Sequence, residues 1–271
     1  MRLHNLLPIL CASLVLSAGC SKMPFKNTRE IPASADRVGD YIVGDSEATR
    51  KRLATQDRLN LASQRLRSGD LNAAEREVKT VLKADANSVD GHTLMAVLQS
   101  QRGDVAQAGI HYRRAAELAP NQGGALNNYG AWLCENSSPA ESLVWFDRAL
   151  AAPGYRNPES ALANAGGCAL KVGQYDRADR DLRRALSLAP KNAYALASMA
   201  QSEYHQKRYF EARAFTERRL DAAPATAAVL QLAADIEERL GDKAAASRYV
   251  QRLRAEFPNA VAANPGDKKA P

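Results

Sequence analysis

One interval recurs along the chain and limits its fold more than any other property. A Gly followed by a polar residue and then Leu, Val or Tyr stands at Gly69-Asp70-Leu71, Gly103-Asp104-Val105 and Gly173-Gln174-Tyr175. Gly241-Asp242-Lys243 repeats the turn near the end, and Lys207-Arg208-Tyr209 fills the remaining place. The step is 34 residues, lengthened once by two inserted residues. Three residues beyond each turn comes an alanine: Ala74, Ala108, Ala178, Ala212 and Ala246. A proline closes most units, at Pro120, Pro190, Pro224 and Pro258, with Ala86 in its place in the first. A unit this short cannot bury an apolar face alone, so its neighbours must cover it.

Small residues on a first helix, a Gly turn, Ala on a second helix and a terminal Pro in 34 residues are the signature of the tetratricopeptide repeat. The fold class that follows is all-α: a right-handed superhelical solenoid of six helix-turn-helix repeats. Their bounds are 55–88, 89–122, 123–158, 159–192, 193–226 and 227–260. Ala62, Ala96, Gly130, Gly166, Ala200 and Ala234 let the paired helices approach, and the bulky Tyr112, Phe146 and Leu182 fill what space remains. Only 6% of the chain is aromatic, so Ala, Gly and Leu carry most of the packing. The third unit departs from the pattern, with a Gly-free turn, Asn136-Ser137-Ser138-Pro139, and an end lengthened to 36 residues through Pro153, Gly154, Tyr155 and Pro158.

Upstream, Arg2 and the apolar stretch from Leu6 to Leu16 read as a signal peptide, 1–19, too short to span a bilayer. It ends in Leu16-Ser17-Ala18-Gly19-Cys20, which resembles the bacterial lipobox. The resemblance implies acylation of Cys20, and Ser21 after it implies sorting to the outer membrane, lipid-anchored and facing the periplasm. At roughly 0.8 kcal/mol per buried methylene, several acyl chains make that attachment nearly permanent. Residues 20–54, broken by Pro24, Pro32, Gly39 and Gly44, read as the lipidated N-terminus and a tether, the non-helical stretch running to about Glu47. Residues 261–271 read as a disordered tail.

Catalytic chemistry finds little support in the residues. His4, His92, His111 and His205 have no partner at metal-ligand spacing, and neither a cofactor nor a metal is expected. Gly123-Gly124 and Gly166-Gly167 suit close helix packing rather than a phosphate loop. Asp179-Arg180-Asp181 with Arg183 and Arg184 read as a solvated, ion-paired helix face. The chain is expected to be no enzyme and to take no small-molecule substrate. The net charge of +7 is spread over helix faces, and a lipoprotein outside the cytoplasm has no nucleic-acid partner.

Cys134 and Cys168 lie on the first helices of consecutive units. An oxidising periplasm allows them to pair, closing a loop of about 35 residues worth roughly 3 to 4 kcal/mol of chain entropy. Two separate buried thiols are the alternative reading. Repeats of this kind present first-helix residues to a partner. Here those are Leu59, Ser63, Leu66 and Arg67 in the first unit, and Thr93, Val97, Ser100 and Gln101 in the second. Asn127, Ala131 and Glu135 follow in the third, Lys171 in the fourth, and Tyr194, Gln201, Tyr204 and His205 in the fifth. The Lys and Asn arrangement that captures a C-terminal carboxylate is not among them.

A lipobox, a short tether and six such repeats resemble the type IV pilus biogenesis and stability lipoproteins, the PilF and PilW family. Local segments sharpen the likeness: Asn127-Asn128-Tyr129-Gly130 with Leu133-Cys134, Ala149-Leu150-Ala151 with Pro153, Tyr155 and Pro158, and Asn164-Ala165-Gly166 with Cys168-Ala169. The resemblance implies a pilotin, an adaptor that binds the type IV pilus secretin and promotes its localisation and oligomerisation in the outer membrane. The competing expectation is another periplasmic scaffold, for envelope enzymes or outer-membrane protein assembly.

Overall fold

The computed structural model describes residues 46–136 and 138–259. The signal peptide, Cys20, tether residues 21–45, Ser137 and residues 260–271 lie outside the described residues. Within them the chain forms twelve α-helices and no strand. They are α1 (Glu47–Arg67), α2 (Leu71–Ala84), α3 (Val89–Gln101), α4 (Val105–Leu118), α5 (Gly123–Asn136) and α6 (Pro139–Ala151), then α7 (Pro158–Lys171), α8 (Tyr175–Leu188), α9 (Ala193–His205), α10 (Tyr209–Ala222), α11 (Ala227–Leu240) and α12 (Lys243–Glu256). Each odd-numbered helix packs antiparallel on the even-numbered helix after it, which makes an all-α array of six hairpins.

Local chemistry sets the helix ends. Asp70, Asp104 and Asp242 cap α2, α4 and α12, each carboxylate accepting the amide N–H three residues on at 2.9–3.1 Å. Ser88, Asn192 and Thr226 do the same for α3, α9 and α11, and such caps are worth about 1 kcal/mol each. Pro120, Pro190 and Pro224 lie two residues beyond α4, α8 and α10, where a missing N–H forbids continuation. The first repeat, with Ala86 there, stops α2 by another means: the Asp85 carboxylate accepts the Asn87 N–H at 2.9 Å. Pro158 does not close repeat three but opens α7, in the first helical position that proline favours. The two inserted residues therefore lie in the α6–α7 connection, where Gly154 takes a φ of 67°.

The inter-helix turns demand a left-handed residue. Gly69, Gly103, Gly173 and Gly241 have φ between 72° and 83°, and Lys207 occupies the equivalent place at φ 63°. A side chain there costs roughly 1–2 kcal/mol, part of which glycine's freer unfolded state offsets. Lys207→Gly should therefore stabilise the fold by about 0.5–1 kcal/mol, read as a higher urea midpoint. A lower midpoint would mean that the Lys207 side chain holds the turn.

The small residues sit where helices touch. Ala62, Ala96, Ala200 and Ala234, like Ala74, Ala108, Ala178 and Ala212, are at most 1% exposed. A Cβ on Gly166 would lie 2.5 Å from Leu182 Cγ, and one on Gly130 would lie 2.9 Å from the Phe146 ring. Phe146 and Leu182 are fully buried, whereas Tyr112 is only half-buried.

Two expectations are corrected here. Residues 47–54 are not tether but the first two turns of α1. No repeat covers them, so they lack the packing period, and local terms hold them: the Ser46 hydroxyl accepts the Thr49 N–H at 3.1 Å, and Lys51 pairs with Glu47 at 2.7 Å. The charged face of α8 is only partly solvated, because Asp181 is buried and shared by Arg177 and Arg180.

Candidate protein-binding groove

The first helices of successive repeats touch one another, α1 with α3 and so on to α9 with α11, while the second helices pack chiefly on first helices. The first helices therefore line the inner side of the array, which becomes the candidate groove. Four of the five junctions between repeats carry an ionic bridge among the described residues. Arg102 donates to Asn72 and Glu75 across repeats one and two, at 2.9 and 2.8 Å. The Arg102 bond to Glu75, with one from Lys79, holds the Glu75 carboxyl down at about 2. Arg177 meets Asp147 at 2.6 Å between repeats three and four. Buried Glu203 takes Arg183 and Arg208, and buried Glu237 takes Arg213.

The junction of repeats three and four is also joined covalently. Cys134 on α5 and Cys168 on α7 form a disulfide with their Cα atoms 5.9 Å apart. Beside it the Asn164 amide donates to Asn127 Oδ1 at 3.1 Å, and the Lys171 ammonium donates to the Cys134 carbonyl at 3.4 Å.

Most residues expected on the groove are accessible there: Ser63, Arg67, Thr93, Val97, Ser100, Gln101, Ala131, Glu135, Lys171, Tyr194, Gln201, Tyr204 and His205 are half-exposed or exposed. Leu59, Leu66 and Asn127 are not, and their assignment to the groove is corrected. Leu66 belongs to the core with Ala62, Val78, Met95 and Leu98, Leu59 is buried as well, and Asn127 is spent on Asn164. A partner cannot reach them without parting the repeats.

Between repeats two and three the groove deepens into a cleft of about 370 Å³. Ser100, Ala131 and Glu135 contribute to it as expected groove residues, and Tyr112, Asn128 and Trp132 are further walls. Trp132 is held in place: its indole N–H donates to the Val105 carbonyl at 3.2 Å, and its ring lies over Gly109, where a Cβ would come within 2.2 Å. Behind it, Tyr129 stacks at 6.1 Å, Trp145 meets Tyr129 edge-on at 4.8 Å, and Arg148 caps Trp145 at 4.2 Å. Burial pushes the Tyr112 phenol up, the Ser100 hydrogen bond opposes this, and the charge of Glu135 adds to it. The signal in the sequence was Gly109, a poor helix former inside a helix, which marks a large ring from the next repeat.

At the other end, Tyr175, His205, Tyr204 and Tyr209 form a chain of ring contacts 5.6–6.3 Å apart. Phe210 beside them is 72% exposed. His92 and His111, expected to stand without a partner, instead face each other across the hairpin of repeat two with Nδ1 atoms 2.9 Å apart. His92 Nε2 donates to the Ala86 carbonyl at 3.1 Å. Burial, then the charge of His92, lowers the His111 pKa. Among the described residues there is no group of three or more His, Cys, Asp or Glu that could hold a metal, and no helix is long and apolar enough to cross a membrane. The groove offers shape, hydroxyls, amides and a few charges, which suits binding a polypeptide.

Comparison with known proteins agrees with this geometry. A tetratricopeptide repeat model matches residues 159–192. The type IV pilus assembly protein PilF of Pseudomonas aeruginosa is 22% identical over 196 residues, which are 72% of this chain and 78% of that protein. The crystal structure of PilW, described as a widely conserved type IV pilus biogenesis factor, has a TM-score of 0.70 at 28% identity, covering 76% of this chain and 94% of that one. The structure of Pseudomonas aeruginosa PilF gives 0.69 at 22% identity over 78% and 95% of the two chains, a likeness of fold.

Proposed function

From this chain's homology to the type IV pilus biogenesis proteins PilF and PilW, we propose that it is a pilotin. It is a non-enzymatic adaptor, acylated at Cys20 and held on the periplasmic side of the outer membrane, that binds secretin subunits and promotes their oligomerisation for pilus assembly. The observation that carries the reading is the PilW match, at 28% identity over nearly the whole of that chain. Six hairpins packed against one another offer a surface that need not order itself on binding, which reduces the entropic cost of association. The acyl chains would confine that surface to the membrane where the secretin assembles, raising the effective concentration of each for the other.

Deletion of the gene should remove most of the heat-resistant secretin multimers seen on gels and abolish twitching motility, both restored by the wild-type gene. Cys20→Ala should restore neither fully and should leave the protein in the soluble periplasmic fraction. Normal multimers in the deletion strain would sink the pilotin reading in favour of a scaffold for other envelope proteins.

A further inference from the structure

Within the groove, we propose that the cleft between repeats two and three seats a cationic side chain, Arg or Lys, carried by the bound polypeptide. The inference rests on the groove being the partner surface and names what that surface reads. Glu135 contributes the cleft's single charged side chain, and no Lys or Arg lines it. That is unusual local chemistry in a chain with 37 basic and 30 acidic residues. Glu135 joins none of the ion pairs among the described residues, and the nearby Lys171 ammonium is bonded to the Cys134 carbonyl.

The other walls suit the same guest. Tyr112 and Trp132 supply ring surface along which an aliphatic stem can lie and toward which a cation is attracted. Ser100, Asn128 and Asn136 add acceptor oxygens for the donors of a guanidinium or ammonium that Glu135 leaves unpaired. The site is built before the guest arrives. Trp132 is fixed by its bond to the Val105 carbonyl and by Gly109 beneath it, with Tyr129, Trp145 and Arg148 stacked behind. An acidic side chain would be repelled by Glu135, and an aliphatic one would leave the carboxylate and amides facing it without partners. Selection for positive charge is therefore the property expected of the cleft.

The test uses two capped pentapeptides, acetyl-Gly-Gly-Arg-Gly-Gly-amide and its citrulline counterpart, which keeps the shape and removes the charge. The indole N–H resonance of Trp132, assigned with the Trp145→Phe variant, is followed during titration of the purified chain. Saturable movement is expected with the arginine peptide, with affinity about tenfold weaker for citrulline and weakened by added salt. Glu135→Gln should reduce arginine binding to the citrulline level and leave citrulline binding and the circular dichroism spectrum unchanged. Equal responses to the two peptides, or an unmoved Trp132 signal, would overturn the inference. If secretin multimers still depend on the chain in that case, the cleft alone has failed. If they do not, the pilotin reading has failed separately.

Discussion

Reducing the Cys134–Cys168 disulfide should lower the free energy of unfolding by about 3 to 4 kcal/mol, and the Cys134→Ala, Cys168→Ala double variant should lose at least as much. The two cysteines are separated by 34 residues, so the bond removes the entropy of a loop of that length from the unfolded chain. The loop spans the one junction that the two-residue insertion makes irregular. Polar contacts cross there too, from Asn164 to Asn127 and from Arg177 to Asp147, each worth on the order of 1 kcal/mol, and a buried apolar cluster joins Leu143 and Phe146 to Leu162 and Leu182. In a linear array, stability is a sum of repeat and nearest-neighbour terms, and the disulfide adds a chain-entropy contribution at this junction. Urea unfolding followed by circular dichroism should show a single transition in the oxidised chain. With reductant the midpoint should fall. An unmoved midpoint, together with two free thiols by mass spectrometry before reductant is added, would establish separate buried cysteines instead.

What the sequence revealed and what it hid divide along one physical line. The positions of Ala62, Gly130, Gly166 and Ala234 are dictated by the approach of two backbones within a hairpin, a constraint that recurs identically in every repeat and so appears as a period. Contacts particular to one junction have no period. Leu59, Leu66 and Asn127 occupy positions that border both the groove and the next repeat, and whether they are covered depends on which side chains that next repeat supplies. His92 and His111 meet only because the register of one hairpin brings residues 19 apart face to face. Trp132 lies over Gly109 for the same kind of reason, and no single helix, considered alone, shows it. The first two turns of α1 were hidden differently. They are almost wholly exposed, and their cap and ion pair are local signals outside the repeating pattern. Fold was thus legible from what the repeats share, and the candidate cleft only from where repeats two and three differ.

The same distinction governs the ion pair between α10 and α11, where the cost of a substitution should depend on which partner is removed. Arg213 faces Glu237 with both donors, Nε meeting Oε1 at 2.8 Å, and the two side chains are 31% and 6% exposed. Glu237→Leu leaves a guanidinium that can turn into water, and its cost should be small. Arg213→Ala leaves a buried carboxylate within the repeat interface without its ion-pair partner, and should cost about 3 to 5 kcal/mol. Adding Glu237→Leu to Arg213→Ala should recover most of the loss, because the stranded charge is then gone and an apolar side chain fills its place. Urea midpoints for the parent, both single variants and the double variant at neutral pH measure the cycle. Equal losses for the two single variants at neutral pH would mean that the pair acts through packing, and that the charges bridging repeats five and six do not specify their contact.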